Sequence, residues 1–326
     1  MNNPLSDFYK NKATLLQKSL KQFAEKTMLF PQIGIELEFY LLDQNLQRLQ
    51  NQDLAVDYIS FLSHLFLTDP SIYKIEKEQG ATQIEIKIAP HSDLILLAQK
   101  IEGIKEVAKQ LAQKNNLIAC FAAQPFVDDC GSALQFNFSL HDINGENVFT
   151  KIEDFLPQNQ EISATKNSAR KNKLLLHSIA GMLDSLEWAM VFYAPKEEDY
   201  LRFDLEINRA LHQKGKFTAP TNISFGDNNR TAAIRLPRNE YFQNDRIEFR
   251  VAAADADPFL VLFSLLIAVE NGIENSQLPQ ESQRVFGNAF DKQYSFKNFA
   301  KSLEVAQKIA LDKLRSRNFI HHIIGQ

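Results

Sequence analysis

The spacing of hydrophobic residues divides the chain into helical and extended segments. Apolar residues recur every three or four positions in several stretches, which predicts helices with a buried side. These stretches are residues 5–26, 54–67, 92–114, 164–192, 258–274 and 297–316. Elsewhere apolar and polar residues alternate, or short apolar runs stand between turn signals, and both patterns predict strands. The predicted strands read IGIELEFYLL, YKIEK, QIEIKI, LIACFAAQPF, SALQFNFSL, TAAIRLP and RIEFRV.

The order of these elements favours an α+β fold. Strands and helices mix along the chain without regular alternation, so we expect one curved sheet that is mixed or antiparallel. Its apolar face should pack against the helices, and its other face should be polar. The sequence contains no internal repeat, low-complexity tract or linker, and we therefore treat residues 1–326 as a single domain.

The first predicted strand raises the question of what its polar face holds. In IGIELEFYLL, Leu37 and Phe39 point to one face, which leaves Glu36 and Glu38 on the other. Two carboxylates at this spacing are roughly 6.5 Å apart and repel each other by about 2.5 kcal/mol at an effective dielectric constant of about 20. Two explanations are open for the two glutamates of this strand: the polar face is solvated, or it binds a cation.

Other predicted strands carry the same chemistry. Their apolar residues fix their phase, and the opposite face then receives acids, amides and arginines. The residues on that face are Glu78, Glu85, Gln135, Asn137, Ser139, Arg246, Glu248 and Arg250. Oxygen-rich sites suit Mg²⁺ or Mn²⁺, and arginines bind phosphate groups through paired hydrogen bonds. The pattern therefore indicates a metal-assisted phosphoryl-transfer site, with structural ion pairs as the alternative.

Composition narrows the class of protein. The chain has 326 residues, 44% of them hydrophobic and 23% charged, as is typical of soluble globular proteins. A net charge of −4 without a basic tract argues against a nucleic-acid partner. The longest apolar run, FLVLFSLLIAV from Phe259, is too short to span a membrane, and the N-terminus lacks a signal-peptide pattern. The two cysteines, Cys120 and Cys130, are expected to be reduced thiols in a cytoplasmic protein.

Five motifs in order give the chain a resemblance to a known family. GIELEF, EQGATQIEI, GSALQFNFSL, APTNISFGDNNRTAAIRLP and RIEFR follow one another between about residues 33 and 273. In this order they resemble the catalytic domain of glutamine synthetase. The resemblance implies that fold and an ATP-dependent ligase, which phosphorylates a carboxylate such as glutamate and joins it to an amine with Mg²⁺ or Mn²⁺ as cofactor. All of its substrates would be small molecules.

The resemblance implies metal-binding roles for the acids of the polar face. Glu38, Glu78 and Glu85 correspond to the ligands of one metal ion. Glu36 and Glu248 correspond to carboxylates of a second metal ion. In this interpretation Glu36 and Glu38 bind different ions, which would explain why two acids alternate on one strand.

The resemblance also implies roles for the arginines. Arg230 and Arg235 correspond to arginines that contact the nucleotide phosphates and the transferred phosphoryl group, so Arg230 is predicted to be both nucleotide-binding and catalytic. Arg250 corresponds to a catalytic arginine that engages the glutamate substrate. Ser139 lies where a further nucleotide contact is expected.

One stretch departs from the family pattern at the second metal site. The family has Asn-Gly-Ser-Gly-x-His-x-His, whereas this chain has CGSALQFN. Gln135 therefore occupies the position of a metal-binding histidine, and Asn137 that of the next histidine. A glutamine oxygen can still coordinate Mg²⁺, so Gln135 stays a predicted ligand, and we expect the second site to be weaker or altered.

A second departure concerns the sites for the amine and for glutamate. In HQKGKFTAP, His212 stands at the position of an arginine that helps to grip glutamate, and Thr218 at that of a glutamate that completes the ammonium site. Ordinary glutamine synthesis is therefore disfavoured, and we expect an amine other than ammonia. His212 is a candidate for the base that deprotonates this amine, and a structural or simply exposed histidine is the alternative.

A third departure lies at the N-terminus. The family has a β-grasp domain before the GIELEF strand that contributes to a neighbouring subunit's active site, whereas residues 1–32 are predicted to be helical here. A homo-oligomer stays open, but a family-type dodecamer is not expected. Two functions are compatible with these observations: a divergent ATP-dependent carboxylate–amine ligase, and a non-catalytic relative that binds nucleotide or a protein partner.

Overall fold

Strands from both halves of the chain form one sheet. The computed structural model describes residues 5–151, 172–238 and 245–316. The strands in these residues are β1 Phe30–Leu42, β2 Ile72–Lys77, β3 Gln83–His91, β4 Ile118–Cys120, β5 Leu134–His141, β6 Phe225–Asp227, β7 Ile234–Leu236 and β8 Ile247–Phe249. They pair in the order β2-β3-β1-β5-β8-β7-β6, and β4 pairs with the end of β1. Only β6 and β7 are parallel among these pairs, so the sheet is mixed.

Nine α-helices accompany the sheet in the described residues, and the hydrophobic core lies between its apolar side and several of them. They are α1 Ser6–Lys10, α2 Lys12–Thr27, α3 Asp53–Leu65, α4 Leu94–Lys114, α5 Lys173–Trp188, α6 Met190–Tyr193, α7 Leu205–Gln213, α8 Pro258–Glu274 and α9 Leu303–Ser316. Short 3₁₀ helices cover Val148–Thr150, Glu197–Phe203 and Glu281–Gln283. The predicted α+β fold with a mixed sheet is confirmed.

Most predicted helices occur close to their expected bounds. The helix predicted at 258–274 is observed with both ends unchanged, and the first predicted helix divides at Asn11 into α1 and α2. The first residues of the helix predicted at 164–192 lie outside the described part of the chain. The last helix begins at Leu303 rather than at 297, and α7 and β6 were not predicted.

α8 is the central helix of the hydrophobic core. Its residues from Pro258 to Val269 are buried on every side, because α2, α4 and α5 pack around it. The carboxylate of Asp257 caps its first turn by accepting hydrogen bonds from the backbone N–H groups of Phe259 and Leu260. The uniform hydrophobicity of α8 therefore reflects burial. No helix in the described residues is long and apolar enough to cross a membrane.

α5 and α8 approach each other most closely where two glycines meet. A Cβ atom added to Gly181 would run into the backbone carbonyl of Ala268. One added to Gly272 would run into the carbonyl of His177. Only residues without a side chain allow two helix backbones to lie this close. The contact fixes α5 against the helix that supports the sheet.

β1 is the strand that positions the polar face. Ile33, Ile35, Leu37 and Phe39 are at most 1% exposed and belong to the core. The residues between them therefore point to the opposite side of the sheet, as the alternation of IGIELEFYLL predicts. Since β1 lies between β3 and β5, its polar side chains have neighbours on both sides.

Candidate active site

Strand register brings the predicted acidic residues onto one surface. On β1, Glu36 pairs with Lys87 of β3 and with Gln135 of β5. Glu38 pairs with Glu85 of β3. Directly opposed residues in an antiparallel pair have Cβ atoms about 4.5–5.5 Å apart, so these side chains are neighbours. The centre of the polar face is therefore a cluster of acids with one lysine and one amide.

The polar face continues toward both edges of the sheet. On one side, Glu85 also pairs with Glu76 of β2. On the other side, Asn137 of β5 pairs with Glu248 of β8, which pairs with Arg235 of β7. Acids therefore predominate on β1, β2 and β3, whereas arginines accompany the acid on β7 and β8.

Glu38, Glu78 and Glu85 share a poorly solvated environment. Glu38 is 6% exposed and Glu85 is 4% exposed. Burial, followed by the charge of Glu78, raises the pKa of Glu38 to about 7. Burial, followed by the charges of Glu38 and Glu36, raises the pKa of Glu85 to about 8, and burial also raises the pKa of Glu78. Their ionised forms need more positive charge than the protein supplies.

Lys87 provides part of that positive charge. Its ammonium lies 2.9 Å from Glu85 Oε2 and 2.9 Å from Glu76 Oε1. Although burial opposes it, bonding to Glu76 and Glu85 raises the pKa of Lys87. One lysine therefore bridges the acids of β2 and β3, and Glu85 keeps a raised pKa in spite of it.

The negative charge of Glu248 is compensated by two arginines. Arg235 Nη1 donates to its Oε2 at 2.6 Å, and Arg250 Nη1 donates to its Oε1 at 2.6 Å. Although burial opposes it, Arg250 and Arg235 lower the pKa of Glu248. Glu248 is therefore ionised and held between two arginines, in contrast to the acids of β1 and β3.

Two amides connect the acidic and basic parts of the face. Gln135 and Asn137 each donate from the side-chain NH₂ group to a glutamate and accept from an arginine at the amide oxygen. The partners are Glu38 at 2.6 Å and Arg250 at 3.2 Å for Gln135, and Glu36 at 2.9 Å and Arg246 at 2.8 Å for Asn137. These are the positions at which the family has histidines. The groups predicted for the second metal thus satisfy one another within the protein.

Arg230 lies at the margin of the face and is exposed. Its guanidinium carbon is 4.5 Å from the centre of the Phe217 ring, a cation–π contact. Its backbone carbonyl accepts a hydrogen bond from Arg250 at 3.1 Å. Gln79 holds the loop that carries the ring, through the backbone N–H of Phe217 and the carbonyl of Gly215. Sequence reasoning missed Phe217, for which an aromatic residue directly before TAP was the available signal.

Arg202 is a second residue that sequence reasoning missed. It is 3% exposed and donates to the carbonyl oxygens of Val251 at 2.8 Å and Arg250 at 3.0 Å. Its charge also opposes the rise in the pKa of Glu38. Arg202 therefore supports the strand end from which Arg250 reaches the site. No periodic pattern around LRFD signals this role.

Ser139 and His212 lie apart from the acidic cluster. Ser139 Oγ donates to the carbonyl of Gln32 at 3.2 Å and lies 3.1 Å from His141 Nε2. His212 is exposed at the end of α7, with its ring edge-on to Phe290. Neither side chain bonds to the acids of the polar face in the described part of the chain, and their roles stay predictions.

The donor chemistry fits a hard divalent cation, but its ligands are not assembled in this conformation. Among the described residues, no group of three His, Cys, Asp or Glu side chains is placed to hold a metal ion. Glu38 accepts from Ala133 N and Gln135, and Glu85 is bound to Lys87. Metal binding by Glu38, Glu78 and Glu85 therefore requires side-chain rotation. A dication would favour the ionised forms that burial disfavours.

The sequence comparison identifies the family. The model of the glutamine synthetase catalytic domain matches residues 50–326, and the chain therefore belongs to the glutamine synthetase family. The matched range begins after β1 and so does not include Glu36 and Glu38. Their place in the site rests on the pairing of β1 with β3 and β5.

Several curated relatives are similar over most of this chain. It is 28% identical over 290 residues to γ-glutamylputrescine synthetase of Escherichia coli K12, which covers 81% of this chain and 55% of the relative. It is 25% identical over 276 residues to glutamine synthetase of Sulfolobus acidocaldarius, and this match covers 82% of this chain and 52% of the relative. Glutamate–isopropylamine ligase of a Pseudomonas species is 28% identical over 213 residues, covering 65% and 40%. The chain thus spans about half the length of the first two relatives.

Solved structures share the fold. The ligand-free structure of GmaS superposes with a TM-score of 0.74 at 19% identity, covering 96% of this chain and 69% of that one. An ADP complex of GmaS gives a TM-score of 0.74 at 17% identity, covering 94% and 69%. These matches confirm the α+β architecture.

Proposed function

We propose that this chain is an ATP-dependent ligase that joins a carboxylate, with glutamate as the first candidate, to an amine other than ammonia. The observation that carries the proposal is the group formed by the buried acids Glu38 and Glu85 and the half-buried Glu78, whose pKa values are all raised, on the same sheet face as the arginines that bind Glu248. The names of two similar proteins, γ-glutamylputrescine synthetase and glutamate–isopropylamine ligase, combine glutamate with an amine larger than ammonia.

Glu38, Glu78 and Glu85 would hold Mg²⁺ or Mn²⁺. When bound, such an ion would neutralise charge on the nucleotide phosphates and on the acceptor carboxylate. Lys87 already sits beside Glu85, and the lysine would retain Glu76 as its partner after Glu85 turned to the ion. Because Glu76 stays paired with Lys87, Glu85 could leave Lys87 for the metal ion without leaving the lysine charge uncompensated.

The arginines would bind the reacting groups. Arg230 is exposed and held against Phe217, so its guanidinium is oriented for phosphate oxygens. Arg235 and Arg250 are fixed by Glu248 at 2.6 Å each. Arg250 also donates to Gln135 Oε1 and to the carbonyl oxygens of Thr218 and Arg230, so it would exchange one of these neutral acceptors for a substrate carboxylate. Arg235 would stabilise the phosphoryl group in transfer, and Arg250 would orient the carboxylate substrate. The carboxylate oxygen would attack the γ-phosphorus and displace ADP. The amine nitrogen would then attack the acyl carbon and displace phosphate, and the proton that the nitrogen loses would pass to water.

The loop beside Phe217 supports an amine other than ammonia. Thr218 is buried, and its carbonyl accepts a hydrogen bond from Arg250 at 3.4 Å. A threonine cannot supply the negative charge that an ammonium ion requires, and the neighbouring Phe217 ring offers an apolar surface. These features suit an amine that carries a hydrocarbon group.

Calorimetry with a non-hydrolysable ATP analogue tests the proposal directly. We expect binding that depends on Mg²⁺ in the wild type and is lost in Glu85→Gln. Glu76→Gln is the matched control, because it removes a charge from the same face and also contacts Lys87, yet is not a predicted ligand. Phosphate release from ATP with glutamate and a panel of ammonia, isopropylamine and putrescine then identifies the amine. Absence of nucleotide binding with any metal would refute the proposal.

One observation favours the alternative of a non-catalytic nucleotide-binding relative. Glu248, Gln135 and Asn137 are fully engaged with protein partners, so the second predicted metal site is already occupied by the chain's own amides and arginines. Nucleotide binding without turnover in the whole amine panel would support this alternative. A single domain over residues 1–326 and an assembly other than the family-type dodecamer stay predictions.

A further inference from the structure

Lys87 stands among the acids of the polar face. The alternation of QIEIKI places it on the same side of β3 as Glu85, and it lies opposite Glu36 of β1. Its ammonium is 2.9 Å from Glu85 Oε2 and 2.9 Å from Glu76 Oε1, and its side chain is 24% exposed. Lys87 is therefore a half-buried cation that contacts one of the predicted metal ligands, Glu85.

Two lysines and two acids balance their charges at this edge of the face. Lys74 of β2 lies opposite Lys87 of β3, and Glu76 lies opposite Glu85. The ammonium of Lys74 is 2.7 Å from Glu76, so both lysines share this acid. Like charges that face each other across a strand pair are unfavourable, and the two acids compensate the two lysines here. The group of four is neutral as long as Glu85 is bound to Lys87.

This balance ends when Glu85 serves as a metal ligand. Glu85 would then turn away from Lys87, and Glu76 would be shared by two ammonium groups without a second acid from the group. An ammonium group has three N–H donors, so Lys87 would keep its bond to Glu76 and gain at least one free donor. A positive charge without a counter-ion would remain beside the metal site, and such a charge is unfavourable where solvent is limited.

We propose that Lys87 is a phosphate-binding residue of the nucleotide site, and that its ammonium group becomes available for this role when Glu85 binds the metal ion. The proposal deepens the proposed ligase function and rests on it. The phosphate chain of a nucleoside triphosphate fits this role because it carries several charged oxygens, which can reach the metal ion and the ammonium together. A lysine suits a role with two positions, because its charge stands on a flexible stem of four carbons.

The same contacts link metal binding to nucleotide binding. Without nucleotide, metal binding by Glu85 leaves the charge of Lys87 uncompensated, so the affinity for the metal ion is lowered. With nucleotide, phosphate oxygens compensate that charge, so each ligand strengthens the binding of the other. Lys87 therefore weakens the binding of a metal ion alone and strengthens the binding of the nucleotide.

Calorimetry of the full chain with Lys87→Met tests this pair of effects. For Mn²⁺ alone we expect at least about tenfold tighter binding than in the wild type, because no ammonium competes for Glu85. For a non-hydrolysable ATP analogue at saturating Mg²⁺ we expect at least about tenfold weaker binding, because a charge-assisted hydrogen bond is lost. A substitution that only disturbs the fold would weaken both, so the opposite signs identify the role.

Two further variants serve as controls. Lys74→Met removes the same charge from a more exposed position, where the lysine is ion-paired with Glu76, and should change both affinities by less than about threefold. Lys87→Arg keeps the charge and the ability to donate to phosphate, so its affinity for the ATP analogue should stay within about threefold of the wild type.

Three results would overturn the proposal. They are weaker or unchanged Mn²⁺ binding in Lys87→Met, unchanged binding of the ATP analogue in this variant, and equal effects of Lys87→Met and Lys74→Met. Unchanged nucleotide binding together with a KM for glutamate raised by at least about tenfold would assign Lys87 to the carboxylate substrate instead.

Inorganic triphosphate with Mg²⁺ separates this proposal from the ligase. Binding of inorganic triphosphate that depends on Lys87, in a protein that fails to bind the ATP analogue, would refute the ligase and leave the phosphate-binding role of Lys87 standing. Turnover of ATP with an amine, together with full binding of the analogue in Lys87→Met, would leave the ligase standing and overturn the role of Lys87.

Discussion

Glu38 of β1 and Glu85 of β3 lie directly opposite each other on adjacent antiparallel strands, and both are buried. Like charges in this position destabilise a sheet unless a cation compensates them. Lys87 binds one oxygen of Glu85, while Glu38 accepts hydrogen bonds from neutral groups, Ala133 N and Gln135. The pair therefore ties the stability of the sheet to proton or cation binding.

The stability of the metal-free protein should depend on pH. Burial, followed by neighbouring acids, raises the pKa of Glu38 to about 7 and of Glu85 to about 8, above the unfolded value of 4.5. The folded state then binds more protons, so its stability is fully present below about pH 4.5 and is lost as the pH rises to about 8. We expect the free energy of unfolding to fall by up to about 1.4 kcal/mol per pH unit for each group. Urea unfolding at a series of pH values measures this slope.

Two controls assign that slope to the acidic pair. Glu85→Gln removes one of the titrating groups, so its slope should be shallower than that of the wild type. Saturating MgCl₂ should restore stability at about pH 8 in the wild type, because a ligand that binds only the folded state stabilises it. Equal slopes in wild type and Glu85→Gln would contradict the assignment.

The second metal position should respond to Gln135→His. In the wild type the side-chain amide of Gln135 is hydrogen-bonded to Glu38 and Arg250, and Glu248 is ion-paired with two arginines. Because these predicted ligands of the second metal are already engaged, we expect tight binding of only one Mn²⁺ ion. An imidazole nitrogen is a more basic donor than an amide oxygen, and the oxygen of Gln135 is already bound to Arg250. The variant should therefore bind a second ion at least about tenfold more tightly, as measured by paramagnetic resonance of free Mn²⁺. An unchanged second affinity would show that Glu248 stays committed to its arginines.

Arg202→Met should destabilise the fold. Two buried carbonyl oxygens, those of Arg250 and Val251, would lose their donor, at a cost of about 2–4 kcal/mol. Chemical denaturation measures the loss. Lys21→Met is a suitable control, since Lys21 is largely exposed, and its ion pair with the exposed Glu25 one turn along α2 should contribute below about 1 kcal/mol. Similar losses in both variants would argue against a special role for Arg202.

The contact between α5 and α8 predicts opposite effects of two glycine substitutions. Gly181→Ala would place a methyl group against the carbonyl of Ala268 and should destabilise the protein by about 3 kcal/mol. At Gly103 in α4 an added Cβ meets nothing within 4 Å, so Gly103→Ala should stabilise the protein by about 0.5–1 kcal/mol. Thermal unfolding of the two variants distinguishes them, and equal midpoints would contradict the close helix contact.

The polar face could be predicted from the sequence because it depends on local alternation. The buried neighbours of Glu36 and Glu38 fix the phase of β1, and the same holds for Glu85 on β3. The partners of these acids could not be predicted in this way. The clamp of Glu248 by Arg235 and Arg250 depends on the register between β7, β8 and β5, which distant parts of the chain set together.

Short or irregular elements carry too little signal for such reasoning. β6 has three residues, and its parallel pairing with β7 has no counterpart in a local pattern. Arg202 lies in a 3₁₀ helix without a clear apolar period, although it reaches two carbonyl groups at the end of the site.

β1 runs from Phe30 to Leu42 through the middle of the sheet, and from Ile35 to Phe39 its core residues alternate with the site residues Glu36 and Glu38. Inserting or deleting one residue within this stretch would turn Glu36 and Glu38 into the core and would expose Ile35, Leu37 and Phe39 on the polar face. Both changes would destabilise the fold. New specificities on this scaffold are therefore open to exchange of side chains along β1 and to changes of length only in the loops beyond its ends. β1 therefore restricts which mutations can change the site as well as where the site residues lie.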